Sequence, residues 1–176
     1  MNVEVEIRSF ISKEKYERLL DFFKENAKLI EEDNQESYYF NCEKDLRTQR
    51  DSKGCKIWMK EGNIHDELRE EVEVRFDRKD FEKVNEIFIR LGYGVEIKWF
   101  RKRYRFDWEG INVSLDYTKG YGYILELEKM SGENGNDEIL YLLKSKLKEI
   151  DVEETSKEEF NKKFDYYKNN WRELIK

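Results

Sequence analysis

Carboxylates and guanidiniums recur at every second position in several stretches of this chain. In "NVEVEIR", Glu4, Glu6 and Arg8 alternate with Val3, Val5 and Ile7, and in "LREEVEVRF", Arg69, Glu71, Glu73 and Arg75 oppose Val72, Val74 and Phe76. "WFRKRYRF" groups Arg101, Arg103 and Arg105, and "YILELE" ends on Glu126 and Glu128 with Leu125 and Leu127 facing away. Side chains of a strand alternate between its faces, so each stretch reads as a strand with one ionic and one apolar face. Like charges two positions apart stand about 7 Å from each other and repel. Paired carboxylates are compensated by a hard divalent cation such as Mg2+ or Mn2+, which takes oxygen ligands. Paired guanidiniums are compensated by phosphate oxygens, which arginine grips in a planar fork. Both partners at once describe a metal-bound polyphosphate.

The elements that must position these residues are legible around them. Ser12 can cap a helix with Tyr16, Leu19, Leu20, Phe23 and Ala27 at helical spacing. Strands follow at "ESYYFN" and "CKIWMK", with another in "EKDLRTQRDSKG" ahead of its "DSKG" turn. After "ELREEVEVRF" a second helix buries Phe81, Val84, Ile87, Phe88 and Leu91 and stops at Gly92. "VEIKWFRKRYRFDW" and "INVSLDY" form a hairpin turning at "EG", followed by the strand "YGYILELEKM". A third helix carries Ile139, Leu140, Leu143, Leu147 and Ile150; a last one opens on a capping box of Ser156 and Glu159 and presents Phe160, Phe164, Tyr167, Trp171 and Leu174. One α+β domain over residues 1–176 is the economical reading. If its sheet closes into a barrel, the charged faces line the bore and the apolar faces support helices outside.

Composition bounds the function. Of 176 residues, 42% are charged and only 38% hydrophobic, but 15% are aromatic, which argues for a folded and very polar protein. The net charge of −6 disfavours stable nucleic-acid binding, since no excess of cations stands ready to displace counterions from a phosphate backbone. Cys42 and Cys55 fall in no C-x-x-C or histidine cluster and read as free thiols of a reducing cytosol. No apolar run approaches a membrane span, so a cytoplasmic location is expected.

The ordered set of motifs resembles the CYTH superfamily, the triphosphate tunnel metalloenzymes. "VEVEIR" is similar to the N-terminal E-x-E-x-K signature, with Arg8 where the family usually has lysine. "DLRTQR" resembles its L-R-x-R strand through Arg47, "KIWMKEG" its lysine strand through Lys60, and "LREEVEV" and the pair Arg101 and Arg103 continue the match. "VSLDYTKGYGYILELE" aligns Asp116, Glu126 and Glu128 with the late acidic positions, and "NNWRELI" resembles the closing segment, so the likeness spans nearly the whole chain. Two positions depart: Gln49 stands at the second base of L-R-x-R, removing a phosphate contact unless Arg50 or Lys56 substitutes, and Trp171 replaces the tail tyrosine.

The resemblance implies an eight-stranded antiparallel closed β-barrel with a charged interior and flanking helices, binding Mg2+ or Mn2+ and a small-molecule triphosphate or nucleotide as a monomer or homodimer. It places Glu4, Glu6, Glu126 and Glu128 on the metals, with Asp116 and Glu71 or Glu73 completing the shell. Arg8, Arg47, Lys60, Arg69, Arg101 and Arg103 hold phosphate oxygens, and Glu4, Glu6, Arg8 and Lys60 carry the catalysis. The implied reaction is hydrolysis of inorganic triphosphate or an organic or nucleoside triphosphate. The alternatives are a class IV adenylate cyclase, releasing cyclic AMP and pyrophosphate, and a non-catalytic polyphosphate-binding module. Plainer readings stand beside these: Glu71, Glu73 and Arg75 as simple cross-strand ion pairs worth under about 1 kcal/mol each if exposed, Lys56, Lys102 and Arg105 as surface charges, and His65 as an exposed loop residue.

Overall fold

Alternation in the sequence becomes strand in the structure, and the three-to-four spacing becomes helix. The computed structural model describes residues 3–60, 71–131 and 136–176. In chain order the elements are β1 (Val3–Ile11), α1 (Lys13–Asn26), β2 (Lys28–Phe40), β3 (Asp45–Asp51), β4 (Gly54–Lys60), β5 (Glu71–Phe76), α2 (Phe81–Arg90), β6 (Val95–Trp108), β7 (Ile111–Thr118), β8 (Gly122–Ser131), α3 (Asn136–Glu149) and α4 (Lys157–Leu174). The strands form one eight-stranded antiparallel sheet in the order β1-β8-β7-β6-β2-β3-β4-β5. Among the described residues no helix is long and apolar enough to cross a membrane.

The chain divides into two compact units: Met1–Glu32 with Lys102–Tyr167, and Asp33–Arg101 with Lys168–Lys176. In the first unit, Ile7, Leu125, Leu127, Val113, Leu115, Tyr104, Phe106 and Trp108 turn one way and pack on Tyr16, Leu19 and Phe23 of α1 and Leu143 and Leu147 of α3. Leu125 and Leu127 are wholly buried; truncating either to alanine would cost about 2–5 kcal/mol. The Ser12 hydroxyl accepts from Lys15 N at 3.1 Å and opens α1, as its sequence position predicts. The hairpin between β6 and β7 turns on Glu109 and Gly110, both at positive φ (55° and 75°), the geometry a two-residue type I′ turn requires.

The second unit has a smaller core, Tyr38, Phe40, Cys55 and Phe81. Gly92 ends α2 as expected: at φ 96° it donates to Ile89 O while Tyr93 N donates to Phe88 O. The face of α2 differs from expectation. Phe81 and Asn85 are buried, whereas Ile87 and Leu91 are 56% and 67% exposed. The helix turns toward the sheet because the buried Thr48 hydroxyl donates to Asn85 Oδ1 at 2.6 Å. Strand β2 also begins at Lys28, well ahead of the expected "ESYYFN".

The closure expected of the barrel is a point of difference. β1 and β5 are the edge strands of the sheet order, and among the described residues no ladder joins them. The free edge of β1 is occupied within its own unit: Phe10 N donates to Thr155 Oγ1 at 2.9 Å and Thr155 N donates to Arg8 O at 3.2 Å. The segment between α3 and α4 thus satisfies backbone groups that an edge strand would otherwise leave open.

Candidate functional site

In the first unit, register gathers the predicted acids on the face opposite the core. Glu6 pairs with Glu128, which pairs with Asn112; Arg8 pairs with Glu126, which pairs with Ser114. Directly opposed residues of an antiparallel pair share a face, so two rows of charged and polar side chains cross β1, β8 and β7. Glu4 is placed opposite Met130 by backbone register alone. Arg8 lies 3.4 Å from Glu6 and sets its guanidinium over the Phe160 ring at 5.3 Å. Asn112 donates to Glu128 at 3.2 Å.

Arg103 and Asp116 form a two-bond ionic contact on this face, through Nε–Oδ1 at 2.8 Å and Nη2–Oδ2 at 2.6 Å. Burial pulls the Arg103 pKa down, but the hydrogen-bonded Asp116 and the charges of Glu126 and Glu128 outweigh it, so the net direction is up. Burial raises the Glu126 pKa above the ordinary carboxylate value; Glu6 and Asp116 push the same way, against Arg103 and Arg8. Burial thus sets the direction at Glu126, and the carboxylates Glu6, Asp116, Glu126 and Glu128 share this face with the guanidiniums of Arg8 and Arg103.

In the second unit, Arg47 is held by three groups. Asp45 accepts from its Nε at 2.5 Å and Nη2 at 2.7 Å, and Tyr39 OH accepts from Nη1 at 3.1 Å. Its guanidinium lies 4.1 Å from the Tyr39 ring centroid and 5.7 Å from that of Trp58. Arg101 donates to Gln35 Oε1 from Nε at 2.9 Å and Nη2 at 2.5 Å. Register places Lys60 opposite Asp45 on one side and Glu71 on the other. Arg69 and His65 lie outside the described residues.

Two earlier readings change. Arg50 cannot stand in for a base at Gln49, because it belongs to the opposite face: it binds Glu36, reaches Glu82 at 3.3 Å and covers the Phe81 ring at 4.6 Å. Lys56 is no plain surface charge, with its side chain 22% exposed and Nζ 2.8 Å from Glu73. Trp171 is buried and donates from Nε1 to Glu96 O at 2.7 Å, a packing role. Tyr39, Asp45, Trp58 and Gln35 were missed as site residues; parity was the available signal, since Tyr39 is in register with Arg47, Asp45 and Trp58 sit two positions from Arg47 and Lys60 on their strands, and Gln35 sits two positions from Ser37, the partner of Gln49.

Among the described residues no three His, Cys, Asp or Glu side chains are gathered around a single point for an ion. The donor chemistry nonetheless suits a hard divalent ion: Glu6, Glu126 and Glu128 offer only carboxylate oxygens, on adjacent strands.

A family model, that of the CYTH domain, matches residues 2–161. The chain belongs to the CYTH family. A Methanocaldococcus jannaschii protein provisionally named an adenylate cyclase is 33% identical to this CYTH chain over 162 residues, covering 85% of it and 90% of the relative. A solved structure of a conserved hypothetical protein from Pyrococcus furiosus superposes with a TM-score of 0.66 at 26% identity, covering 85% of this chain and 91% of that one. A Hippeastrum protein, described as a provisional adenylyl cyclase with a dominant triphosphatase activity, superposes with a TM-score of 0.63 at 18% identity over 89% and 93% of the two chains, a likeness of fold. The eight-stranded antiparallel sheet with flanking helices is thus the CYTH fold.

Proposed function

We propose that this CYTH protein hydrolyses a triphosphate, inorganic or carried on an organic group, in a reaction that needs Mg2+ or Mn2+. The observation that carries the reading is the pair of rows Glu6–Glu128–Asn112 and Arg8–Glu126–Ser114, which puts three carboxylates and Arg8 on one sheet face, with Arg103 near the same acids and bonded to Asp116. Glu4, Glu6, Asp116, Glu126, Glu128 and Glu71 are the metal-holding candidates, and Arg8, Arg47, Lys60, Arg69, Arg101 and Arg103 the phosphate-holding ones. When bound, the ion supplies positive charge that offsets the phosphate oxygens and polarises the attacking oxygen.

The protein's own part is positioning. Arg8 and Arg103 are assigned to phosphate oxygens beside the carboxylates, and Arg47, whose Nε–Nη2 edge is held by Asp45, is assigned to a phosphate oxygen through its remaining N–H groups. A water oxygen forms the new bond to the terminal phosphorus, the bridging P–O bond breaks, and phosphate and a diphosphate leave with one proton released. Glu4, Glu6, Arg8 and Lys60 are the residues assigned to this step. The M. jannaschii relative keeps cyclisation as a second reading; both carboxylates Glu126 and Glu128 on β8 favour hydrolysis. A cytoplasmic setting agrees with the free thiols of Cys42 and Cys55.

The test is phosphorus NMR of tripolyphosphate and of ATP incubated with the protein and Mg2+ or Mn2+. Growth of phosphate and diphosphate signals, abolished by chelator, supports hydrolysis. Cyclic AMP with pyrophosphate supports the second reading, and unchanged spectra under every metal overturn both.

A further inference from the structure

The L-R-x-R strand lacks its second base, and the structure shows what stands in its place. Gln49 is 8% exposed and its amide is engaged at both ends: Oε1 accepts from Ser37 Oγ at 3.2 Å and Nε2 donates to Asp51 at 2.8 Å. Directly across the β3–β4 ladder from Gln49 is Lys56, and across the next ladder from Lys56 is Arg75. Opposed side chains share a face with Cβ atoms about 5 Å apart, so the Lys56 ammonium stands on the Arg47 side of the sheet. Its Nζ lies 4.5 Å from the centroid of the Trp58 ring, the same indole that the Arg47 guanidinium approaches at 5.7 Å. One buried ring therefore fixes two cations on one face.

Resting on the triphosphate reading above, we infer that Lys56 is a phosphate-binding residue that replaces the base missing at Gln49, with Glu73 as its resting counter-ion. The arrangement of Glu73 makes the exchange feasible. Glu73 accepts from Lys56 at 2.8 Å through Oε2 and holds Arg75 at 2.9 Å through Oε1. When Lys56 turns to a phosphate oxygen, Glu73 keeps Arg75 and is not left as an unpaired charge. Two cations sharing one carboxylate leave a net positive charge for the ligand. Arg75, 62% exposed, is the outer of the two and stays with Glu73.

The experiment measures kcat and KM for tripolyphosphate with Mg2+, and tripolyphosphate binding by calorimetry, in wild type, Lys56→Met, Lys56→Arg, Arg75→Gln and Lys56→Met with Gln49→Arg. Lys56→Met is expected to raise KM and the dissociation constant at least tenfold with kcat within threefold. Lys56→Arg stays near wild type, and Gln49→Arg recovers most of the affinity by restoring the base on the neighbouring strand. Binding by the wild type that Lys56→Met leaves intact overturns the role of Lys56 alone, as does an equal loss in Arg75→Gln. No binding or turnover by the wild type overturns the triphosphate reading and this role with it.

Discussion

Arg103 and Asp116 meet through two parallel hydrogen bonds of 2.8 and 2.6 Å, with their side chains only 19% and 6% exposed. Removing one partner from so enclosed a pair leaves the other charged and unpaired. Asp116→Asn is expected to destabilise the protein by about 3 kcal/mol, and the double variant Arg103→Met with Asp116→Leu by less than that single change. Urea unfolding checks the order; a single variant as stable as wild type contradicts it.

Glu126→Gln should separate function from stability. The folded state raises the Glu126 pKa, so this carboxylate favours the fold below its unfolded pKa and works against it as pH rises. At neutral pH the neutral amide relieves that strain. The variant is expected to lose metal-dependent turnover while melting at or above the wild-type temperature, as thermal denaturation and an activity assay would show.

Tyr16 gives the fold an alkaline limit. Burial, aided by Tyr104, pushes its pKa up to about 12 from the usual 10, and its side chain is 7% exposed. Between those values the unfolded chain has released the proton and the folded one has kept it, so stability falls as pH rises from 10 to 12. The loss reaches about 2–3 kcal/mol at most. Tyr16→Phe keeps the ring and cannot ionise; the difference between its pH–stability curve and that of wild type should carry this slope.

Asp151 sits at φ 53° just past α3, where Val152 N donates to Leu147 O at 2.9 Å and Asp151 N to Lys148 O at 3.0 Å. Glycine is the residue that position favours. Its ion pair with Lys15, at 3.4 Å with the carboxylate fully exposed, contributes little. Asp151→Gly is expected to stabilise by about 0.5–1 kcal/mol, raising the melting temperature by about 2–4 °C.

What was legible in the sequence followed side-chain parity, a local property of strands. The ionic faces of β1, β6, β7 and β8 and the core faces of α1 and α3 lie where alternation and helical spacing put them. Parity also excludes Arg50 from the face of Arg47 and Gln49, a consequence visible once β3 is taken as a seven-residue strand. The α2 face was hidden because a polar residue, Asn85, takes a buried position that hydropathy assigns to its apolar neighbours. The start of β2 was hidden because "KLIEEDNQ" shows solvent-facing residues at most of its positions. Partners such as Asp45 for Arg47, or Glu73 shared by Lys56 and Arg75, depend on register between strands, which one sequence does not display.

The most direct test of hydrolysis runs the reaction with Mg2+ in water enriched in oxygen-18 and weighs the products of tripolyphosphate and of ATP by mass spectrometry. One heavy oxygen in the released phosphate, absent in Glu126→Gln, is the expected result. Turnover that yields cyclic nucleotide and pyrophosphate with no heavy oxygen in either would contradict it, because no water would have attacked phosphorus.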